Sequence, residues 1–386
     1  MTALYPPDRL DRAQRATAGA GLDALLLTPG ADLRYLTGYV AMPLERLTCL
    51  VLPAAGDPVL VVPLLERPAA LASPVAGLGI EVLGWAETDD PFAVVADRLR
   101  AALGHPAGPV GLADRMWFEH ALRLQEALRA ETRAPDPGGG PVGAVGLAGA
   151  VMRGLRVRKS PAEVAALRRA GQAIDRVHGR MGEWLRAGRT ETEVGRDIAE
   201  AIIAEGHVRA DFVIVGSGPN GASPHHELSD RVIVAGDPVV VDIGGTTADG
   251  YCSDETRTYL VGGEPDPEFG AYYPVLQQAQ EAACAAIKPG ASCESIDAAA
   301  REVIAAAGYG EFFVHRTGHG IGLECHEDPY LVAGNTEPLE PGMAFSVEPG
   351  IYLPGRHGAR IEDICVCTED GGERLNLVRR DLVVLD

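Results

Sequence analysis

A chain of 386 residues is longer than one typical hydrophobic core supports, and its 46% apolar content suffices for two. The 54 acids against 34 bases leave a net charge of -20, which argues against nucleic acid or an anionic membrane as partner, signals solubility and attracts metal cations. No apolar run reaches bilayer length, the opening MTALYPPDRLDR lacks a signal-peptide layout, and seven scattered cysteines without ligand spacing are expected as reduced thiols in a cytoplasmic protein.

From the start to about Val151 the pattern predicts a small α/β domain, residues 1–151. An amphipathic helix leads into a short buried strand, Asp23 to Leu27. Thr48 to Leu52 and Pro58 to Val62 then read as a hairpin closed at a Gly-Asp turn. Helical periodicity marks Pro91 to Leu103 and Trp117 to Ala130, with strand-like Gly79 to Leu83 and Val110 to Leu112 between them. Arg34 to Tyr39 is expected to be a solvent-edge loop, and no metal or nucleophile constellation falls in this region. Ala134-Pro135-Asp136-Pro137-Gly138-Gly139-Gly140-Pro141 can neither propagate a helix nor join a central strand, so it is the expected linker region.

The second domain, residues 152–386, opens with a capping signature. Ser160-Pro161-Ala162-Glu163 places an N-cap serine, a first-turn proline and a capping-box glutamate together, and Val164, Leu167, Ile174, Val177, Met181 and Leu185 give the following helix one core-facing stripe. Thr190 and Glu193 start the next helix in the same way, and Gly206 ends it. A Gly/Pro-rich loop follows with His225 and His226, of which at most one can face a given site because neighbouring side chains diverge. Val239, Val240 and Val241 then form a strand buried on both faces that ends at Asp242, and a polar turn returns the chain to a second acid, Asp254. Two facing acids repel unless a cation lies between them.

The chain repeats this device. Gly236 to Gly244 aligns with Gly342 to Gly350 at an offset of 106, setting Asp242 against Glu348. Gly188, Thr190, Val194, Ile202 and Gly206 match Gly290, Ser292, Ile296, Ile304 and Gly308 at an offset of 102. Such self-similarity is the signature of a duplication, here of a helix, helix, strand, strand half, and a pseudo-twofold packing of the halves would bring the acids to one site. Glu362 answers Asp254, so four acids converge from four strands. Between them lies a dense run, His315 to His326, with three of the chain's ten histidines and with glycines at 318, 320 and 322 that leave His319 unobstructed. Cys365-Val366-Cys367 looks like a metal motif but sits in a strand, where core packing is the simpler reading.

Four carboxylates and one imidazole are too oxygen-rich for structural zinc or copper, and their charge balances two divalent ions. Two metals about 3.5–4 Å apart can share a bridging water whose pKa falls toward about 7, a nucleophile that suits hydrolysis at a carbonyl.

Asp242, Asp254, His319, Glu348 and Glu362, within SDETRT, GHGIGLECHEDP, SVEPG and RIED, resemble the metal-binding motifs of the pita-bread metallopeptidases of the Xaa-Pro dipeptidase (prolidase) and aminopeptidase P group. The resemblance covers about residues 155 to 386 and implies an α+β fold, in which a duplicated ααββ pita-bread catalytic domain follows a smaller N-terminal α/β domain. It also implies bridging roles for Asp254 and Glu362, proton transfer by Glu348, substrate-facing roles for His225 and His326, and supporting roles for His315 and Arg360. Metal-dependent hydrolysis of the Xaa-Pro bond in dipeptides or short peptides is the expected activity, with two divalent ions, Mn²⁺ first and Co²⁺, Fe²⁺ or Zn²⁺ also suited, in a homodimer. An aminopeptidase P acting on longer Xaa-Pro-Yaa peptides is the alternative. Relatives that cleave without metal or only bind partners have lost the acids that this chain keeps. A dipeptidase must also hold a free carboxylate, for which an arginine is the natural residue and Arg356 is one candidate. The interval from Asp242 to Asp254 is one residue longer than the usual hairpin of these peptidases, and the extra residue is expected in the turn from Thr246 to Gly250, as a bulge.

Overall fold

The computed structural model describes residues 4–130 and 143–386, so the expected linker at 134–141 lies outside the described residues. Two compact units form, Met1–Arg156 and Val157–Asp386.

In the first unit, the four apolar residues of the strand Ala24–Leu27 are all buried. This strand pairs antiparallel with Cys49–Pro53 on one side and parallel with Val110–Leu112 on the other, at the centre of a six-stranded sheet. Cys49–Pro53 turns back into Val59–Pro63 as the predicted hairpin. Asp90 caps the helix Pro91–Leu103 by accepting from the Phe92 amide, and that helix and Phe118–Ala130 close over the sheet through Phe92, Val95, Leu99, Leu124 and Leu128. The segment Arg34 to Tyr39 is not a solvent-edge loop. It falls mostly within the helix Ala31–Thr37, where Leu33, Tyr35, Leu36 and Thr37 are buried. Its aromatic character is explained by the Tyr35 hydroxyl, which donates to the Leu155 carbonyl at 2.8 Å while the ring stays in the core.

The second unit is built from two halves. Ser160 and Glu163 exchange both bonds of a capping box at the start of the helix Pro161–His178, and Thr190 and Glu193 do the same for Glu191–Ala204. The apolar faces of these helices, through Ile174, Val177, Val194, Ile198 and Ile202, rest on Val215, Val239, Val241 and Ile243 of the strands His207–Ser217 and Asp237–Thr247. The second half has its own core, in which the helices Pro267–Ala286 and Cys293–Ala306 cover Phe345, Val347, Cys365 and Cys367. Two residues apart on the strand Asp363–Thr368, both cysteines point into that core.

Duplication is visible in the backbone. Gly188, Gly206 and Gly236 take positive φ (88, 111 and 91°), as do their counterparts Gly290, Gly308 and Gly342 (83, 89 and 93°). Isolated bridges Thr190–Val232 and Ser292–Pro338 recur at the same two offsets. Each half keeps the helix, helix, strand, strand order and carries additional strand ahead of its acids: His207–Ser217 in the first, Gly318–Gly320 with Glu327–Leu331 in the second. The hairpin of Asp237–Thr247 and Cys252–Val261 runs in unbroken register from Asp237 opposite Val261 to Thr246 opposite Cys252. The closing loop carries the expected irregularity: the Gly250 amide donates to the Thr247 carbonyl at 2.9 Å, Gly250 follows at a φ of 95°, and the Thr247 amide donates to the Tyr251 carbonyl at 3.0 Å, the pattern of a glycine bulge. Further irregularities fall on the other edge, between His207 and Arg209 and between Ala210 and Phe212.

Candidate metal centre

Register decides which side chains meet. Asp242 lies opposite Thr256, and Gly244 lies opposite Asp254. Side chains alternate along a strand, so Asp242, Asp254 and Thr256 leave the sheet on one face. The second half meets that face edge on. The Glu362 amide donates to the Thr256 carbonyl at 3.0 Å, and the Thr256 hydroxyl donates to Glu362 Oε2 at 2.7 Å. Glu348 follows the strand Ala344–Val347 and accepts from the Ser346 hydroxyl at 3.0 Å, while the Ser346 hydroxyl oxygen accepts from the His319 amide at 3.0 Å. His319 sits between two glycines for a steric reason. A Cβ at Gly318 would lie 1.9 Å from the Ser346 carbonyl oxygen, and one at Gly320 would lie 2.1 Å from that of Asp328.

The resulting cluster is tight. His319 Nε2 lies 3.2 Å from Glu348 Oε1 and 3.6 Å from Asp254 Oδ2, and donor atoms of Asp254, His319 and Glu362 all fall within 4.8 Å of one another. Burial, then the neighbouring Asp242, pushes the Asp254 carboxyl well above its usual range, and burial with Asp254, Glu348 and Asp242 does the same to Glu362. At Glu348 burial acts in that direction too, but the hydrogen bond and charge of His319 outweigh it and hold the group down at about 2. Burial would lower His319, and Glu348 and Asp254 overcome it, raising the imidazole to about 9. Asp242 Oδ1 and Glu362 Oε1 are buried without a hydrogen-bond partner. Orphaned acid oxygens beside an imidazole that has drawn in a proton are what a cation would satisfy, and hard oxygen donors with one nitrogen suit a divalent ion. The residues fit the group.

A cavity of about 760 Å³ opens onto this cluster, in the size range of small-molecule sites. Its lining includes nine of the ten sequence candidates: Asp242, Asp254, His319, Glu348, Glu362, His225, His326, His315 and Arg360. His225 and His326 are accessible from it, and partial desolvation of the ring inside the cavity, together with the charge of His319, lowers His326 to about 4, so that ring is neutral at physiological pH. His315 donates to or accepts from the Tyr352 hydroxyl at 2.9 Å. Buried Arg360 donates to Asp242 Oδ2 (2.5 Å), to the Tyr352 hydroxyl (2.8 Å) and to the Thr256 hydroxyl (3.1 Å). The tenth candidate, Arg356, is elsewhere. It is exposed and bonded to Glu268 and Asp266, which neutralise it away from the cavity. Arg316 is the guanidinium that lines the cavity beside Arg360, and its head group lies over the Tyr330 ring, 4.3 Å from the centroid. Phe212 and Ile214 supply an apolar wall. Of the residues that sequence reasoning missed, Thr256 carried a signal: it stands two positions after Asp254 and so shares its face.

Fold and site together define a metal-dependent hydrolase of the pita-bread class. The chain belongs to metallopeptidase family M24, whose model matches residues 165–369, and residues 9–136 match the creatinase/prolidase N-terminal domain. It is 54% identical over 377 residues to a Mycobacterium tuberculosis protein described as "Probable dipeptidase PepE", covering 98% of this chain and 96% of that one. The Xaa-Pro dipeptidase of Lactobacillus delbrueckii subsp. lactis is 34% identical over 378 residues, covering 97% and 98%. The crystal structure of dipeptidase PepE from Mycobacterium ulcerans superposes with a TM-score of 0.87 at 54% identity, covering 98% of this chain and 97% of that one. This chain is a peptidase, and its family implies divalent metal ions. Among the described residues no helix is long and apolar enough to cross a membrane.

Proposed function

We propose that the chain hydrolyses the peptide bond preceding proline in dipeptides, at a centre of two divalent ions held by Asp242, Asp254, His319, Glu348 and Glu362. The observation that carries this reading is the convergence of buried, partnerless acid oxygens and one imidazole on a single cavity. Xaa-Pro substrates named for relatives in the same family support the substrate class. When bound, such ions make water easier to deprotonate and polarise a carbonyl.

The protein's own groups divide the remaining work. Glu348, as the carboxylate beside His319, takes a proton from the attacking water and passes it to the proline nitrogen, which lacks an N–H and leaves only as an amine. His326, neutral at that pH, donates a ring N–H to the oxygen that gains charge, with His225 alongside. Arg360 fixes Asp242 in place, and Tyr352 orients both Arg360 and His315. Arg316, which forms no ion pair with a described carboxylate, receives the free carboxylate of a dipeptide, the role expected of Arg356. Phe212 and Ile214 favour an apolar Xaa side chain.

The test is cleavage of Xaa-Pro dipeptides against Xaa-Pro-Yaa tripeptides by the purified protein, with Mn²⁺ and after chelation. Dipeptide cleavage that is lost on chelation and not restored by metal in Asp254→Asn is expected. Preference for the tripeptide would make the chain an aminopeptidase, and an unchanged rate without metal would overturn the metal centre. Mn²⁺ preference and a cytoplasmic homodimer belong to the same proposal, and metal analysis and light scattering of the holoenzyme test the ion and the dimer.

A further inference from the structure

Glu191 is the first residue of the helix Glu191–Ala204, and its side chain is fully buried. A lone carboxylate there would be costly, although the helix N-terminus favours the charge. Instead it is ringed by donors. Oε1 accepts from the Ser217 amide (2.7 Å) and hydroxyl (2.6 Å), and Oε2 accepts from the Ser229 hydroxyl (2.5 Å) and His226 Nε2 (2.7 Å). The Asn220 amide reaches both oxygens at 3.1 Å. Burial works to raise the pKa of Glu191, and the bonds from Ser217 and Ser229 outweigh it, keeping the group ionised and purely an acceptor.

All four partners belong to one stretch of chain, residues 217–229, and His225 is carried on that stretch. With His226 turned inward to Glu191, its neighbour His225 is left on the cavity. The second half uses a comparable device. Asp297, buried on the helix Cys293–Ala306, accepts from the Thr317 amide (3.0 Å) and hydroxyl (2.8 Å), two residues before His319. In both halves a buried acid on the second helix ties down the loop that delivers a histidine.

We propose that Glu191 is a positioning residue for the reaction: its carboxylate, gripping His226, Ser217, Asn220 and Ser229, holds His225 against the substrate. This inference rests on the peptidase reading above.

A double-mutant cycle in the metal-loaded enzyme tests it, with an Xaa-Pro dipeptide as substrate and with Glu191→Gln, His225→Ala and their combination. Because an ionised acceptor is lost, Glu191→Gln is expected to lower kcat/KM about 10- to 100-fold in the wild-type background. In the His225→Ala background the further loss should be under about twofold, since the histidine being positioned is already gone. Metal content should stay unchanged, and hydrogen exchange of residues 217–229 should rise while that of 313–318 does not. Equal losses in both backgrounds, or unchanged exchange, would overturn the proposal. Should Glu191→Gln fail to fold, Ser229→Ala removes a single donor and is read by the same cycle, with a smaller loss that again depends on His225. A wild-type enzyme inactive on every Xaa-Pro peptide would sink the peptidase reading, whereas the exchange measurement would still judge the anchor.

Discussion

Acid should unfold this protein partly through one histidine. His178 is buried, with Nε2 3.1 Å from the Glu255 carbonyl, to which it donates, and Nδ1 2.8 Å from the Tyr259 hydroxyl, an arrangement that the neutral ring satisfies with Nδ1 as acceptor. Burial, reinforced by the nearby Arg257 charge, lowers its pKa from 6.5 to about 3. The unfolded chain therefore takes up a proton that the folded chain refuses. The stability this group contributes is intact above 6.5 and lost as pH falls toward 3. Between pH 7 and pH 5 the linkage amounts to about 2 kcal/mol, and below that it steepens to about 1.4 kcal/mol per unit. Because pH 5 lies well above the folded-state value, the ordinary pKa of the unfolded histidine sets the size of the effect there. Buried Glu255, whose pKa burial raises, acts in the opposite direction, so the comparison must be made between proteins that share it. Urea unfolding of wild type and His178→Gln at pH 7 and pH 5 isolates the term. The variant is less stable at pH 7 through lost packing, and the gap between the two proteins should narrow by about 2 kcal/mol at pH 5. A gap that is constant with pH would refute the assignment of a neutral, proton-refusing ring.

Three further outcomes are expected. Divalent metal added to chelated protein near pH 7 should release protons, because His319, raised to about 9, must lose its proton to bind; calorimetry in buffers of different ionisation enthalpy reads the number, and a heat independent of buffer would contradict it. Glu362→Gln removes a buried acid whose ionisation burial and the neighbouring acids oppose, so it should raise the melting temperature of the chelated protein by a few degrees, about 2–4 °C per kcal/mol, while abolishing the further rise that metal gives; a lower melting point would show that the site does not oppose the charge. Arg316→Met should raise KM for an Xaa-Pro dipeptide about 10- to 100-fold, the worth of a charge-assisted hydrogen bond, and leave an amidated substrate nearly unaffected; equal effects on both would remove Arg316 from carboxylate binding.

The duplication was legible in the sequence because it is written in residues with strict backbone demands. Glycines at positive φ and N-cap hydroxyls recur at fixed offsets, and the acid at the end of each buried strand recurs with them. Period-two alternation then placed Asp242 and Asp254 on one face once the hairpin was granted. The strand His207–Ser217 escaped notice because Arg209, Ala210 and Asp211 interrupt its apolar pattern just where the ladder itself is irregular. Arg356 illustrates a different limit. A guanidinium near acid motifs fits a carboxylate receptor on paper, but only the fold reveals that Glu268 and Asp266 claim it and that Arg316 reaches the cavity. Glu191, the residue after an N-cap, carries no sequence signal of its role, since its four partners lie 26 to 38 positions downstream.

The partnerless oxygens of Asp242 and Glu362 bear on more than chemistry. A chain that buries acids whose ionisation its interior opposes spends part of its folding free energy on them, and regains it when a cation arrives. Bound metal is therefore expected to lengthen the protein's survival against unfolding and proteolysis.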